Sequence, residues 1–213
     1  MLKSERIAKR INEKIKVWLK SQDRLVVAID GYSGSGKTTV TDFIAKQNHD
    51  VLAVHLDDFV KHWKVRKRLI EITKDKSKVF EHGWYRYGDL KKLIKAFKVK
   101  NRGWINLKTY DFKKNAFASP KPFDLSKKAI VIDGIFLFHL KHKIITSWDK
   151  RIYLEVDFNK ADRKRIAREK KKWGKDYVPE NHLDNWTKYY KIAYRRYVKR
   201  FKQQTKVDMV FKV

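Results

Sequence analysis

No cysteine occurs among the 213 residues, which rules out a disulfide framework, a thiolate zinc site and a cysteine nucleophile. Proline is nearly as scarce, at three residues, so there is little to mark a rigid linker or a domain break. No internal repeat or Gly/Ser tract appears, and no apolar run reaches the roughly 18 residues that cross a bilayer. Acidic residues are few: 24 Asp and Glu stand against 53 Lys and Arg, for a formal net charge of +29. The opening "MLKSERIAKRINEKIKVWLK" has no apolar leader core, and Glu5 and Glu13 do not suit a transit peptide. The expectation is a cytoplasmic protein with no membrane association, forming one domain over residues 1–213. Residues 1–20 read as an amphipathic helix with Ile7, Ile11, Ile15, Trp18 and Leu19 on one face.

A positive excess of this size attracts polyanions. Residues 160–206 alone hold 17 Lys and Arg against 5 Asp and Glu. The lysines nevertheless run along the whole chain instead of forming one block. That favours solvated surfaces plus a cationic site for nucleotide phosphates over a nucleic-acid partner.

What is present is a recurring short apolar run that stops at an acidic residue. Leu25 to Ile29 stops at Asp30, Val51 to Leu56 at Asp57-Asp58, Ala129 to Ile132 at Asp133-Gly134, and Ile152 to Val156 at Asp157. Unbroken apolar runs suit strands buried on both faces, as in a parallel sheet. Between them lie segments of helical spacing: Val40, Phe43 and Ile44, and then Leu90, Leu93, Ile94 and Phe97, with Asp89 read as the N-cap. Leu183, Trp186, Tyr190, Ala193, Tyr194, Tyr197 and Phe201 form a long stripe, read as a core helix, and residues 207–213 read as a last strand. The alternation predicts an α/β fold: a doubly wound, mainly parallel sheet with flanking helices. Ligands of such sheets sit at the carboxyl ends of the strands, where the acidic stops are.

Residues 31–38, "GYSGSGKT", match G-x-x-x-x-G-K-[ST] without substitution. Gly31, Gly34 and Gly36 permit a turn whose amides, with those of Ser33 and Ser35, point inward at phosphate oxygens. The helix opening near Lys37 adds the positive end of its dipole, with Thr39 in its first turn. Lys37 supplies a point charge for the β- and γ-phosphates, and the Thr38 hydroxyl a Mg²⁺ ligand. ATP and Mg²⁺ are therefore the expected cofactors.

A kinase must also provide a base for the acceptor hydroxyl and a second Mg²⁺ anchor. Asp57, in "HLDDF", is the candidate base, with Asp58 a candidate turn cap. Asp133, in "VIDGIF", is the candidate metal ligand, directly or through water. Each could also be a plain strand-end turn residue.

With "YDF" at Tyr110 to Phe112 and "RIARE" at Arg165 to Glu169, these motifs resemble, in kind and order, the uridine kinase group of P-loop kinases. That group includes phosphoribulokinase-, pantothenate kinase- and nicotinamide riboside kinase-like enzymes. The likeness runs from Leu25 to Glu169, and "KVDMVF" near the end is a looser match. It implies a P-loop fold of the nucleoside kinase type with a small helical lid over residues 159–176. It also implies that Asp57 is the catalytic aspartate and that Tyr110 and Asp111 face the acceptor. "FEH" at Phe80 to His82 makes Glu81 a candidate for acceptor hydroxyls. Asp133 stands where the family usually has a longer glutamate, and Asn115 falls near a missing base-contacting histidine. "GWYRYGDL" departs from the uridine kinase pattern, and "DDFVK" with "DGIFLF" also resembles nicotinamide riboside kinases.

Arg163, Arg165 and Arg168 cluster in the lid segment, where guanidinium groups closing over phosphates would exclude water and stabilise charge. Arg165 and Arg168 match the family's lid arginines. The expected function is ATP- and Mg²⁺-dependent transfer of a γ-phosphate to a hydroxyl of a small molecule, a nucleoside such as uridine or cytidine first. Nicotinamide riboside, pantothenate and sugar-type acceptors are alternatives. So are a nucleic-acid-associated NTPase or polynucleotide kinase, and a nucleotide-binding regulator without catalysis. His139 and His142 are expected at the surface.

Overall fold

The apolar runs become neighbouring parallel strands. The computed structural model describes residues 2–99, 103–139, 143–180, 182, 185–204 and 206–213, without the side chains of residues 143, 145 and 201–204. In chain order the elements are α1 (Lys3–Trp18), β1 (Leu25–Gly31), α2 (Lys37–Gln47), β2 (Val51–His55), α3 (Trp63–Ile72), α4 (Tyr87–Val99), β3 (Trp104–Leu107), β4 (Tyr110–Asp111), β5 (Ala116–Phe117), β6 (Lys121–Asp124), β7 (Ala129–Gly134), β8 (Lys150–Glu155), α5 (Phe158–Trp173), α6 (Thr187–Gln204) and β9 (Met209–Lys212). The main sheet has the order β2-β7-β1-β8-β9, and every pair in it is parallel.

Side chains of a strand alternate between faces, so each face of the central β1 builds its own core. Leu25, Val27 and Ile29 face one layer, where Ile7, Ile11 and Ile15 of α1 and Val40 and Ile44 of α2 cover them. Val26 and Ala28 face the other layer, with Leu90, Leu93, Ile94 and Phe97 of α4 and Tyr190, Ala193, Tyr194 and Tyr197 of α6. The amphipathic N-terminal segment is thus a packed layer element, with the Glu5 carboxylate accepting from the Leu2 amide at 2.9 Å. Leu183 of the aromatic stripe lies outside the described residues, as does the side chain of Phe201.

Two details differ from the sequence reading. Asp89 is not the cap of α4, which begins at Tyr87. It sits in the first turn and pairs with Arg86 at 2.5 Å, a favourable place for a negative charge near a helix N-terminus. His139 is buried, its ring stacked on Tyr197 with centroids 6.0 Å apart. His142 lies outside the described residues. The short antiparallel pairs β3–β6 and β4–β5 stand apart from the main sheet and were not anticipated.

The parallel sheet brings Gly31, His55, Gly134 and Glu155 to one edge. Asp157 then caps α5, its carboxylate accepting from the Lys160 amide at 2.8 Å. No described helix is long and apolar enough to cross a membrane.

Candidate active site

At that edge β1 turns through residues 32–36 into α2. Gly34 and Gly36 hold φ of +84° and +86°, a region side chains rarely adopt. A Cβ on Gly34 would also stand 2.6 Å from the Ala161 carbonyl oxygen, so glycine is required where the loop meets α5. Ser33, Gly34, Gly36, Lys37, Thr38 and Thr39 line a cleft of about 360 Å³. Gly31 and Ser35 do not line it. Ser35 borders a smaller cavity of about 120 Å³ with Lys3 and Lys164.

Lys37 is buried, and its ammonium donates to the Gly31 and Tyr32 carbonyls at 2.8 and 2.9 Å. Burial pulls its pKa below the ordinary lysine value, against the opposing fields of Asp133, Asp30 and Asp57. Beside it the Thr38 hydroxyl donates to Asp133 Oδ1 at 3.2 Å. Two hard oxygen donors meeting beside the glycine loop in the same cleft fit Mg²⁺, which takes oxygen ligands. Asp133 Oδ2 is 2.5 Å from His55 Nδ1, and His55 Nε2 is 3.3 Å from Asp42 Oδ1. Burial alone would lower the His55 pKa, but the Asp133 hydrogen bond and the Asp133, Asp42 and Asp58 charges raise it overall.

The "LDDF" segment, Leu56–Phe59, winds as a short 3₁₀ turn pinned by buried Leu56 and Phe59. Asp57 projects from this turn into the same cleft as the glycine loop. Asp57 is exposed through the mouth of the cleft, with protein groups close around its carboxylate. Loss of hydration is the main cause of its raised pKa, followed by the Asp133 charge. Lys37, a 3.3 Å hydrogen bond from the Tyr85 hydroxyl and His55 oppose that rise. Asp58 instead pairs with Lys121 at 2.8 Å.

From α5, Arg165 and Arg168 both line the cleft, but differently. Arg165 is buried, and its guanidinium donates to Glu169, Asp162 and Glu180. Lys191 of α6 closes this network onto Glu180 and Asp162 at 2.7 and 2.9 Å. Arg168 is exposed and faces the cleft, and Arg163 is exposed outside it.

Glu81, Tyr110 and Asp111 are not among the residues lining the cleft. Glu81 is buried against Arg196, whose Nε donates to it at 2.8 Å. The Tyr110 hydroxyl accepts from Arg66 at 2.9 Å and donates to Asn115. Asp111 caps its own turn, accepting from the Lys113 and Lys114 amides. In their place the cleft is walled by Phe80, Trp84, Tyr85, Trp186 and Tyr190. Phe80 stacks on Trp84 at 4.2 Å, and Trp186 meets Trp84 edge-on at 6.1 Å. The departure of "GWYRYGDL" from the uridine kinase pattern was the one sequence signal for this wall. Trp186 and Tyr190 were hidden within a stripe that reads as core.

A glycine cradle following the central strand of this parallel sheet, with flanking helices, is the architecture of a P-loop fold. More narrowly, the family model described as "Phosphoribulokinase / Uridine kinase family" matches residues 26–213, and the chain belongs to that family. A uridine kinase of Staphylococcus aureus (strain JH9) is 30% identical over 156 residues, covering 70% of each chain. Uridine kinase-like protein 3 of Arabidopsis thaliana is 27% identical over 176 residues, 81% of this chain and 36% of that protein. The chain thus spans about a third of that plant relative. The structure of a possible uridine kinase from Bacillus stearothermophilus superposes with a TM-score of 0.69 at 20% identity, covering 96% of each chain. At that identity the likeness is one of fold.

Proposed function

We propose that the protein transfers the γ-phosphate of ATP to a hydroxyl of a small molecule, with a nucleoside as the preferred acceptor class. The observation carrying this reading is that Asp57 opens into the cleft lined by Lys37, Thr38, Asp133 and Arg168. A carboxylate at that position can take a proton from an attacking hydroxyl, and the aromatic wall beside it gives an organic acceptor a place to sit. Here Asp57 accepts the proton of the acceptor hydroxyl as the new oxygen–phosphorus bond forms. The bond from the γ-phosphorus to the β–γ bridging oxygen breaks, and ADP leaves.

Lys37 leaves the loop carbonyls to meet phosphate oxygens, and the loop amides hold the rest of the triphosphate. Thr38 and Asp133 would hold Mg²⁺, which supplies neutralisation of phosphate charge when bound. Arg168 offers a mobile cation above the transferring group, and Arg165 ties α5 to α6. The aromatic wall of Phe80, Trp84, Trp186 and Tyr190 suits a flat ring, because aromatic faces bury large areas with defined stacking geometry.

The test is acceptor-dependent ADP release with nucleosides, nicotinamide riboside, pantothenate and sugar phosphates. At least one acceptor is expected to raise ADP release well above the rate with ATP alone. A panel that leaves the rate unchanged, with ATP bound, would leave only nucleotide binding.

A further inference from the structure

Asp133 is one methylene shorter than the glutamate usual at this place in the resembling kinases, and it is buried with both oxygens engaged. Oδ1 accepts from the Thr38 hydroxyl at 3.2 Å, and Oδ2 lies 2.5 Å from His55 Nδ1. The far nitrogen of His55 stands 3.3 Å from Asp42. We propose that Asp42 and His55 are positioning residues that fix the Asp133 carboxylate toward the Thr38 hydroxyl, so that the cation site is built from four residues, not two. This inference rests on the cation site of the proposed function.

The backbone makes this chain of contacts a fixed feature. His55 and Asp133 are register partners in the parallel pair β2–β7, so their side chains leave the same face of the sheet. Thr38 and Asp42 are four residues apart on α2, hence on one face of that helix. The sheet edge and the helix therefore clamp the imidazole between two carboxylates. Without it, Oδ2 of a buried carboxylate would lose its partner, and such a group seeks the nearest cation. Lys37, whose ammonium already feels the Asp133 field, is that cation. His55 thus keeps Asp133 and Lys37 apart, leaving one for a divalent ion and the other for phosphate. A partner that orients a ligand in this way is worth about 10- to 100-fold in metal affinity.

The experiment measures Mn²⁺ bound to the full chain with a non-hydrolysable ATP analogue, from the loss of the free-ion electron paramagnetic resonance signal. Analogue affinity without metal serves as the control. His55→Ala is expected to weaken Mn²⁺ binding about 10-fold or more and metal-free analogue affinity by clearly less, the latter because Lys37 is drawn toward Asp133. His55→Asn, which returns an N–H close to the Nδ1 position, recovers most of that loss. Asp42→Asn cuts only the outer link and weakens Mn²⁺ several-fold; because the Asp42 side chain is 59% exposed, this variant carries the test if His55→Ala does not fold. Wild-type Mn²⁺ binding that none of these substitutions weakens overturns the inference and leaves the cation site standing. Wild-type protein that takes the analogue but no Mn²⁺ overturns the cation site, and the inference with it.

Discussion

Asp57 is a carboxylate whose surroundings work against its own charge. Loss of hydration to the surrounding protein and the neighbouring Asp133 raise its pKa, and Lys37, the Tyr85 hydroxyl and His55 hold it down. The proposed base must be ionised to act, so the acid limb of kcat/KM is expected to follow this raised value. Tyr85→Phe removes a donor to the charged form, and the acid limb is expected to move to higher pH. A limb that stays in place separates Tyr85 from the base. Asp30 gives a stability counterpart. It is fully buried, and burial pushes its pKa from 3.8 to about 6 against hydrogen bonds from Tyr197 and the Gly31 and Leu137 amides. Because the folded value is the higher one, its contribution is complete below pH 3.8 and lost as pH rises through about 6. Tyr197→Phe is expected to cost about 2 kcal/mol at pH 7 and clearly less at pH 4, where Asp30 is protonated. Equal costs at both pH values, by denaturant titration, would separate Tyr197 from the Asp30 charge. Asp57 and Asp133 could be read from sequence because an acidic residue after an apolar run has a definite address at a sheet edge. His55 could not: its partner Asp133 is 78 residues away, and only strand pairing makes them neighbours.

The helices α5 and α6 act together on the loop they cover. The Tyr190 hydroxyl accepts from the Ser33 amide at 2.9 Å, and the Tyr32 hydroxyl donates to Asp162 at 2.9 Å. Arg165 and Lys191 join the two helices through shared carboxylates. The two cleft arginines should therefore fail differently. Arg168→Ala is expected to lower kcat by about 100-fold or more with little change in melting temperature, as loss of a group acting on transition-state charge does. Arg165→Ala is expected to lower the melting temperature, because it removes a buried cation and leaves three half-buried carboxylates facing one another. Equal thermal losses would remove the distinction. On the opposite layer, Ile11→Ala in α1 is expected to cost about 3 kcal/mol, the usual range for truncating a fully buried aliphatic chain. The sheet strands and α1, α2, α4 and α6 were legible because each has an unbroken or helically spaced apolar run. The β3–β6 pair was not, since Trp104 to Leu107 alternates only between exposed and half-buried and contributes little to any core.

The surplus of positive charge belongs to the entire surface. Weak, sequence-independent binding of short RNA is expected at low salt, falling steeply as salt rises and bringing no stimulation of ATP turnover. Salt-resistant binding with stimulated turnover would move the function toward nucleic acid. Strand order was also beyond the sequence: apolar runs mark strands, but only packing sets β7 between β2 and β1. That insertion brings Asp133 up beside Asp57 and the glycine turn, and group transfer depends on their meeting. The most direct test follows γ-³²P from ATP in the presence of the acceptor found by the screen, with wild-type protein and Asp57→Asn. Label is expected on the acceptor in the wild type, and about 100-fold more slowly or not at all in a variant that binds nucleotide equally well. Label released as inorganic phosphate at the same rate with or without acceptor, or transferred at full rate by Asp57→Asn, would contradict transfer by this carboxylate.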